Sequence, residues 1–151
     1  LVTRVGHSLI KEAMIDSGAY FAGESSGHFF LHMEKEGCYE VPGIVLLKLL
    51  VELSNSNQTL AEYIKPYFKY FHSGEINSKV SDGQEVILAL KEKYSDGKLN
   101  ELDGLTVEYP DFWFNVRLSN TEPLLRLNLE AISQEIMERK KQEILDFIAK
   151  V

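Results

Sequence analysis

Between Leu105 and Leu129 apolar side chains recur at every second position, as Leu105, Val107, Tyr109, then Phe112, Phe114, Val116, Leu118, then Leu125, Leu127, Leu129. A period of two is the signature of strands with one apolar face, so these runs can only be buried as a sheet with a covered side. Pro110-Asp111 lies between the first two runs and predicts a hairpin. Ile144, Phe147, Ile148 and Val151 follow at i, i+3, i+4 and i+7, the stripe of an amphipathic helix suited to cover one face of that sheet. Upstream, Glu75 to Val80 reads as a strand, and Ser81 with Gln84 three residues later reads as the cap of a helix carrying Val86, Ile87 and Leu90. The order strand, helix, three strands, helix over residues 74–151 is that of a small α+β domain with an antiparallel sheet covered by helices.

The pattern before Gly74 differs. Leu9, Ile10, Ala13 and Met14 share one helical stripe over Ser8 to Asp16, with Gly18 placed as a left-handed C-terminal cap. Ala19 to Ala22 and Phe29 to Leu31 read as short strands on either side of the polar stretch Gly23-Glu24-Ser25-Ser26-Gly27-His28. Pro42 suits the first turn of a helix running through Ile44, Leu46, Leu47 and Leu50 to about Leu53, a segment apolar enough to be expected well buried. Thr59 and Glu62 have capping-box spacing and open a short helix ending near Pro66. Residues 1–73 therefore read as one α/β unit, and the chain as α/β plus α+β.

Charge restricts the partners. The net charge is −7, and the densest basic cluster is Arg139-Lys140-Lys141, so a nucleic-acid footprint is missing. An acidic chain that binds anions must do so with a few focused groups. The single cysteine, Cys38, has no internal disulfide partner, which fits a reducing, cytoplasmic setting. Gly43 to Leu53, interrupted by Lys48, falls far short of the roughly 20 apolar residues of a membrane span. His32, His72 and Cys38 show no metal-ligand spacing. The opening Leu1-Val2-Thr3-Arg4-Val5 reads like the interior of something longer.

Two polar loops carry the chemistry. In Arg117-Leu118-Ser119-Asn120-Thr121-Glu122-Pro123, a guanidinium that stays charged at any working pH stands beside two hydroxyls, and Asn120 tolerates the backbone of an anion-binding nest. Alternation aims Arg117 away from the row Phe112, Phe114, Val116. A polar hairpin loop with a surface arginine accounts for the same composition. In the loop from Gly23 to His28, glycines permit close approach to the backbone, and Glu24 can accept hydrogen bonds from sugar hydroxyls. A solvated turn explains that loop about as well. His28 is of a residue type suited to acid–base work near neutrality, and it equally suits a structural hydrogen bond; His7, behind Gly6 at the start of a helix, has the same two readings.

Taken in order, these segments resemble the α-D-phosphohexomutase family, of the phosphomannomutase/phosphoglucomutase type. Gly23-Glu24-Ser25-Ser26-Gly27-His28 is similar to its sugar-binding loop and Arg117 to Pro123 to the phosphate-binding loop of its last domain. Gly6-His7-Ser8-Leu9-Ile10 and Phe71-His72-Ser73-Gly74-Glu75-Ile76-Asn77 support the match. The resemblance implies a sugar-binding α/β domain over 1–73, incomplete at its N-terminus, and a phosphate-binding α+β domain over 74–151. These would be the third and fourth domains of an isomerase of carbohydrate metabolism that interconverts hexose 1-phosphate and hexose 6-phosphate. It further implies that Glu24, Ser25, Ser26, Gly27 and His28 contact the sugar. Arg117, Leu118, Ser119, Asn120 and Thr121 would hold the non-reacting phosphate. His7 and His28 would be proton-transfer or phosphate contacts. The family's phosphoserine loop and its metal loop, which holds Mg2+, have no counterpart here, so this chain is expected to bind hexose phosphates but to be inactive alone. The implied partners are hexose phosphates, with hexose 1,6-bisphosphate as intermediate and activator, and the missing N-terminal domains of the same protein; neither nucleic acid nor membrane is expected. A non-enzymatic phosphosugar-binding module and a phosphoglucosamine mutase fragment are the alternatives.

Overall fold

The computed structural model describes residues 1–24, 26–33, 35–119 and 122–151. The chain divides into two compact units, Leu1–Tyr67 and Phe68–Val151. Phe71 and His72, just before the 73/74 boundary expected from the sequence, pair with a strand of the second unit.

In the first unit, α1 (His7–Ser17) precedes a three-stranded antiparallel sheet of β1 (Phe21–Gly23), β2 (Phe29–Met33) and β3 (Gly37–Glu40), followed by α2 (Pro42–Ser56), α3 (Leu60–Ile64) and a 3-10 turn at Lys65–Tyr67. Gly18 ends α1 in the left-handed conformation, with φ 67°, as its position predicts. The small core is Ile10, Met14, Phe30 and Cys38. Thr59 and Glu62 form the expected capping box, in which the Glu62 carboxylate accepts from the Thr59 backbone N–H at 2.8 Å and is held below its usual pKa by that bond.

The helix expected to be well buried is not. No side chain of α2 is buried among the described residues, and Leu47, Val51 and Leu46 stand 64%, 58% and 55% exposed. A helix apolar on every side needs neighbours on every side, and within this unit only short elements such as β2 and α3 lie against it.

The second unit holds β4 (Phe71–His72), β5 (Ile76–Lys79), α4 (Gly83–Lys93), β6 (Lys98–Asn100), β7 (Leu105–Glu108), β8 (Phe112–Leu118), β9 (Leu124–Ala131) and α5 (Gln134–Ile148). Its sheet runs β4-β9-β8-β7-β6, with β5 also paired to β9. The alternating residues face one way. Leu105, Val107, Phe114, Val116 and Leu129 are fully buried, packed with Val86, Leu90, Ile144 and Ile148 of the two helices. Asp82, not Ser81, caps α4, accepting from the backbone N–H groups of Gln84 and Glu85. Among the described residues no helix is long and apolar enough to cross a membrane.

Candidate functional site

The Glu24–His28 loop is closed by its own backbone. Glu24 N–H donates to the His28 carbonyl at 2.9 Å, Gly27 N–H donates to the Glu24 carbonyl at 3.0 Å, and Gly27 takes φ 89°, a value that favours glycine. The Ser26 hydroxyl donates to the Glu24 carboxylate at 3.3 Å, so two of the expected sugar contacts stand together. Ser25 lies outside the described residues.

Sheet register builds the rest of this site. Phe30 on β2 pairs with Glu40 on β3. His28, two residues before Phe30, is therefore diagonal to Glu40 on the same face. Its Nδ1 lies 2.8 Å from one Glu40 oxygen, while His7 Nε2 at the start of α1 lies 3.1 Å from the other. The His7 ring sits edge-on to the buried Phe30 ring at 5.1 Å. One carboxylate thus holds two imidazoles. Because a carboxylate only accepts, the facing nitrogen of each ring must carry the proton.

The Glu40 hydrogen bond and then its charge push the His28 pKa above its ordinary 6.5. Its bond to His28 holds the Glu40 carboxyl below its ordinary 4.5, against a smaller opposing effect of desolvation. A raised histidine pKa gives stabilisation that is complete below the unfolded value and lost as pH rises through the folded one. A depressed carboxyl pKa gives stabilisation present above the unfolded value and lost as pH falls through the folded one. The pair is therefore charged on both members between Glu40's lowered pKa and His28's raised one. Replacing Glu40 by glutamine is expected to return the His28 pKa toward 6.5, read from imidazole proton shifts across pH; an unmoved titration would show that the pairing does not form.

The second cluster belongs to the Phe68–Val151 unit. Arg117 and Arg126 are directly opposed across β8 and β9, on the face away from the apolar row. Arg126 Nη2 donates to the Ser119 hydroxyl at 3.2 Å, and Ser119 N–H closes the hairpin on the Leu124 carbonyl at 2.9 Å. Glu75, just before β5, receives Arg117 Nη2 at 3.3 Å on one oxygen and Arg126 Nη1 at 3.1 Å on the other. Arg126 Nε is buried and has no acceptor among the described residues. Leu118 turns its side chain toward the core face instead, where it packs at the edge of the cluster formed by Val86 and Leu125. Asn120 and Thr121 lie outside the described residues.

Glu40 and Arg126 were not among the residues singled out by sequence, and Glu75 stood there only within the stretch Phe71 to Asn77 and as the start of a strand, not as a site residue. Of the three, Arg126 had a legible signal: it alternates with Leu125 and Leu127, on the polar side of the strand that pairs with the one carrying Arg117. Among the described residues no group of three His, Cys, Asp or Glu could hold a metal ion.

Residues 1–71 match the description phosphoglucomutase/phosphomannomutase alpha/beta/alpha domain III, and residues 75–147 match phosphoglucomutase/phosphomannomutase C-terminal domain. A phosphomannomutase from Methanocaldococcus jannaschii is 46% identical over 149 residues, which cover 99% of this chain and 33% of that protein. A phosphomannomutase/phosphoglucomutase from Pseudomonas aeruginosa is 37% identical over 143 residues, 91% of this chain and 30% of that protein. A crystal structure of a phosphoglucomutase/phosphomannomutase family protein from Burkholderia thailandensis superposes with a TM-score of 0.75 at 29% identity, covering 97% of this chain and 31% of that one. The chain thus spans about a third of the length of the relatives it matches.

Proposed function

Given that the chain belongs to the phosphoglucomutase/phosphomannomutase family, as its C-terminal portion, we propose that it binds the substrate of a phosphohexomutase. In this reading the Glu24–His28 loop takes the sugar and the hairpin after Arg117 takes the phosphate that is not reacting. The observation that carries it is the pair of opposed guanidiniums, Arg117 and Arg126, on the face of the sheet away from the apolar row and beside the Ser119 hydroxyl. Two planar forks on adjacent strands match the several oxygens of a phosphate monoester better than any neutral ligand.

In the same reading Glu24 accepts from two neighbouring sugar hydroxyls, and the Ser26 hydroxyl on one of its oxygens supports this. His28, kept protonated to higher pH by Glu40, acts as a cationic donor toward a phosphate oxygen or as a proton donor at the reacting hydroxyl. His7 shares that carboxylate and lines the same loop's side of the sheet. The reaction would interconvert hexose 1-phosphate and hexose 6-phosphate through a phosphoserine and a hexose 1,6-bisphosphate, in the cytoplasm. In this reading the Mg2+ that such chemistry uses would be held outside this chain, as the resemblance implies. We read this chain's part as binding and positioning, and assayed by itself with glucose 1-phosphate it is expected to show no turnover.

The deciding experiment is a titration of amide shifts with mannose 1-phosphate and, separately, with inorganic phosphate. The sugar phosphate should move the Gly23–His28 and Arg117–Thr121 amides together, and inorganic phosphate mainly the second set. Silence of both loops at millimolar ligand would remove the reading. Arg117→Ala should weaken phosphate binding by about 10- to 100-fold, the weight of one charge-assisted contact. Arg117→Lys should recover only part, because a lysine cannot fork.

A further inference from the structure

The phosphate hairpin carries an anion of its own. Glu75 places one carboxylate oxygen on Arg117 and the other on Arg126, at 3.3 and 3.1 Å, spanning the two guanidiniums in the way a bound phosphate would. Its position follows from the fold. β5 pairs with β9 so that Asn77 lies opposite Arg126, and Glu75, two residues earlier, falls diagonal to that arginine on the same face. The three groups are only partly open to water, with side-chain exposures of 20% for Arg117, 25% for Arg126 and 35% for Glu75, so solvent screens them incompletely.

Resting on the phosphate-binding reading above, we infer that Glu75 is an internal counter-ion of the cradle, which limits its grip on phosphate by competing for both arginines. Two guanidiniums held side by side repel each other. The carboxylate offsets that repulsion when the ligand is absent and keeps both forks aimed at one point. When a phosphate arrives it must share or displace those contacts, and it meets a like charge a few ångströms away. Glu75 therefore preorders the arginines and weakens the complex at once. A mutase whose bound intermediate has to let go and turn round needs a hold of that kind. Glu75 is a positioning residue here, acting through Arg117 and Arg126.

The test compares inorganic phosphate binding by the 151-residue chain and its Glu75→Gln and Glu75→Asp variants, followed at the Arg117–Ser119 amides. Glutamine keeps the size and one acceptor but removes the charge. It should tighten phosphate binding by about five- to tenfold, while aspartate, which restores the charge, should bind within about twofold of the unaltered chain. Dispersed amide spectra of both variants would verify that each is folded. Equal or weaker binding by Glu75→Gln would overturn the counter-ion role, leaving Glu75 a scaffold. If the unaltered chain gives no phosphate response, the cradle reading itself fails and this role goes with it, a result distinct from a cradle that binds but ignores the charge at Glu75.

Discussion

Truncating Phe114 to alanine is expected to lower the stability of the Phe68–Val151 unit by about 3–5 kcal/mol, the cost of deleting a fully buried aromatic ring. Phe114 is fully buried at the middle of β8, between Val107 on one neighbouring strand and Leu129 on the other. Its ring meets Tyr94 of the helical layer edge-on at 5.0 Å and runs parallel to Phe112 at 6.5 Å. Tyr94 cannot move in to fill the gap, since its hydroxyl donates to Glu143 at 2.8 Å and burial with that bond pushes its pKa upward. Urea unfolding followed by the fluorescence of Trp113, the single tryptophan and the neighbour of Phe114, reads the loss directly. Leu88→Ala, at a site 64% exposed on α4, should change the midpoint little by comparison. Equal shifts for the two variants would mean that β8 is not the centre of the core.

The core face of this unit was legible because strand side chains alternate with a period of two, so Leu105, Phe114 and Leu129 announce both their strands and the side they face. What escaped has identifiable causes. Gly37–Glu40, Phe71–His72 and Lys98–Asn100 are strands of four, two and three residues, too short to display a period, and they form because a longer partner offers its hydrogen bonds. The burial of α2 was overestimated because local hydropathy reports what a helix needs, not what lies beside it. The two loops were legible as polar breaks between strands, the first marked by Gly23 and Gly27 and the second by Pro123. Glu40, Arg126 and Glu75 complete them through cross-strand register, which depends on pairings between distant segments and leaves only a weak trace in composition.

Gly104 is where stability and the phosphate hairpin meet, and Gly104→Ala is expected to damage both. The residue has φ 70°, a left-handed value that costs an alanine about 1–2 kcal/mol. An added Cβ would also strike the Val116 carbonyl oxygen and come within 2.8 Å of Arg117 Cα and 2.7 Å of Arg117 Cβ. The obstacle is backbone of the central strand, so no side chain can simply swing away. β7 cannot retreat cheaply either, because Asn115 Nδ2 donates to the Asp103 carbonyl at 2.8 Å and to Thr106 Oγ1 at 3.0 Å, fastening the start of β7 to β8. Overpacking of this kind adds about 1–3 kcal/mol, giving roughly 2–5 kcal/mol in all. Gly74→Ala supplies the control in the same unit. Gly74 shares φ 70° but has nothing within 4 Å of the added carbon, so it should lose only the conformational part. The displaced strand carries Arg117 at the contact, so phosphate binding should also weaken in Gly104→Ala under conditions where it remains folded. If Gly104→Ala and Gly74→Ala unfold at the same urea concentration, the close approach of β7 to Arg117 is wrong, and with it the account of how this guanidinium is held in place.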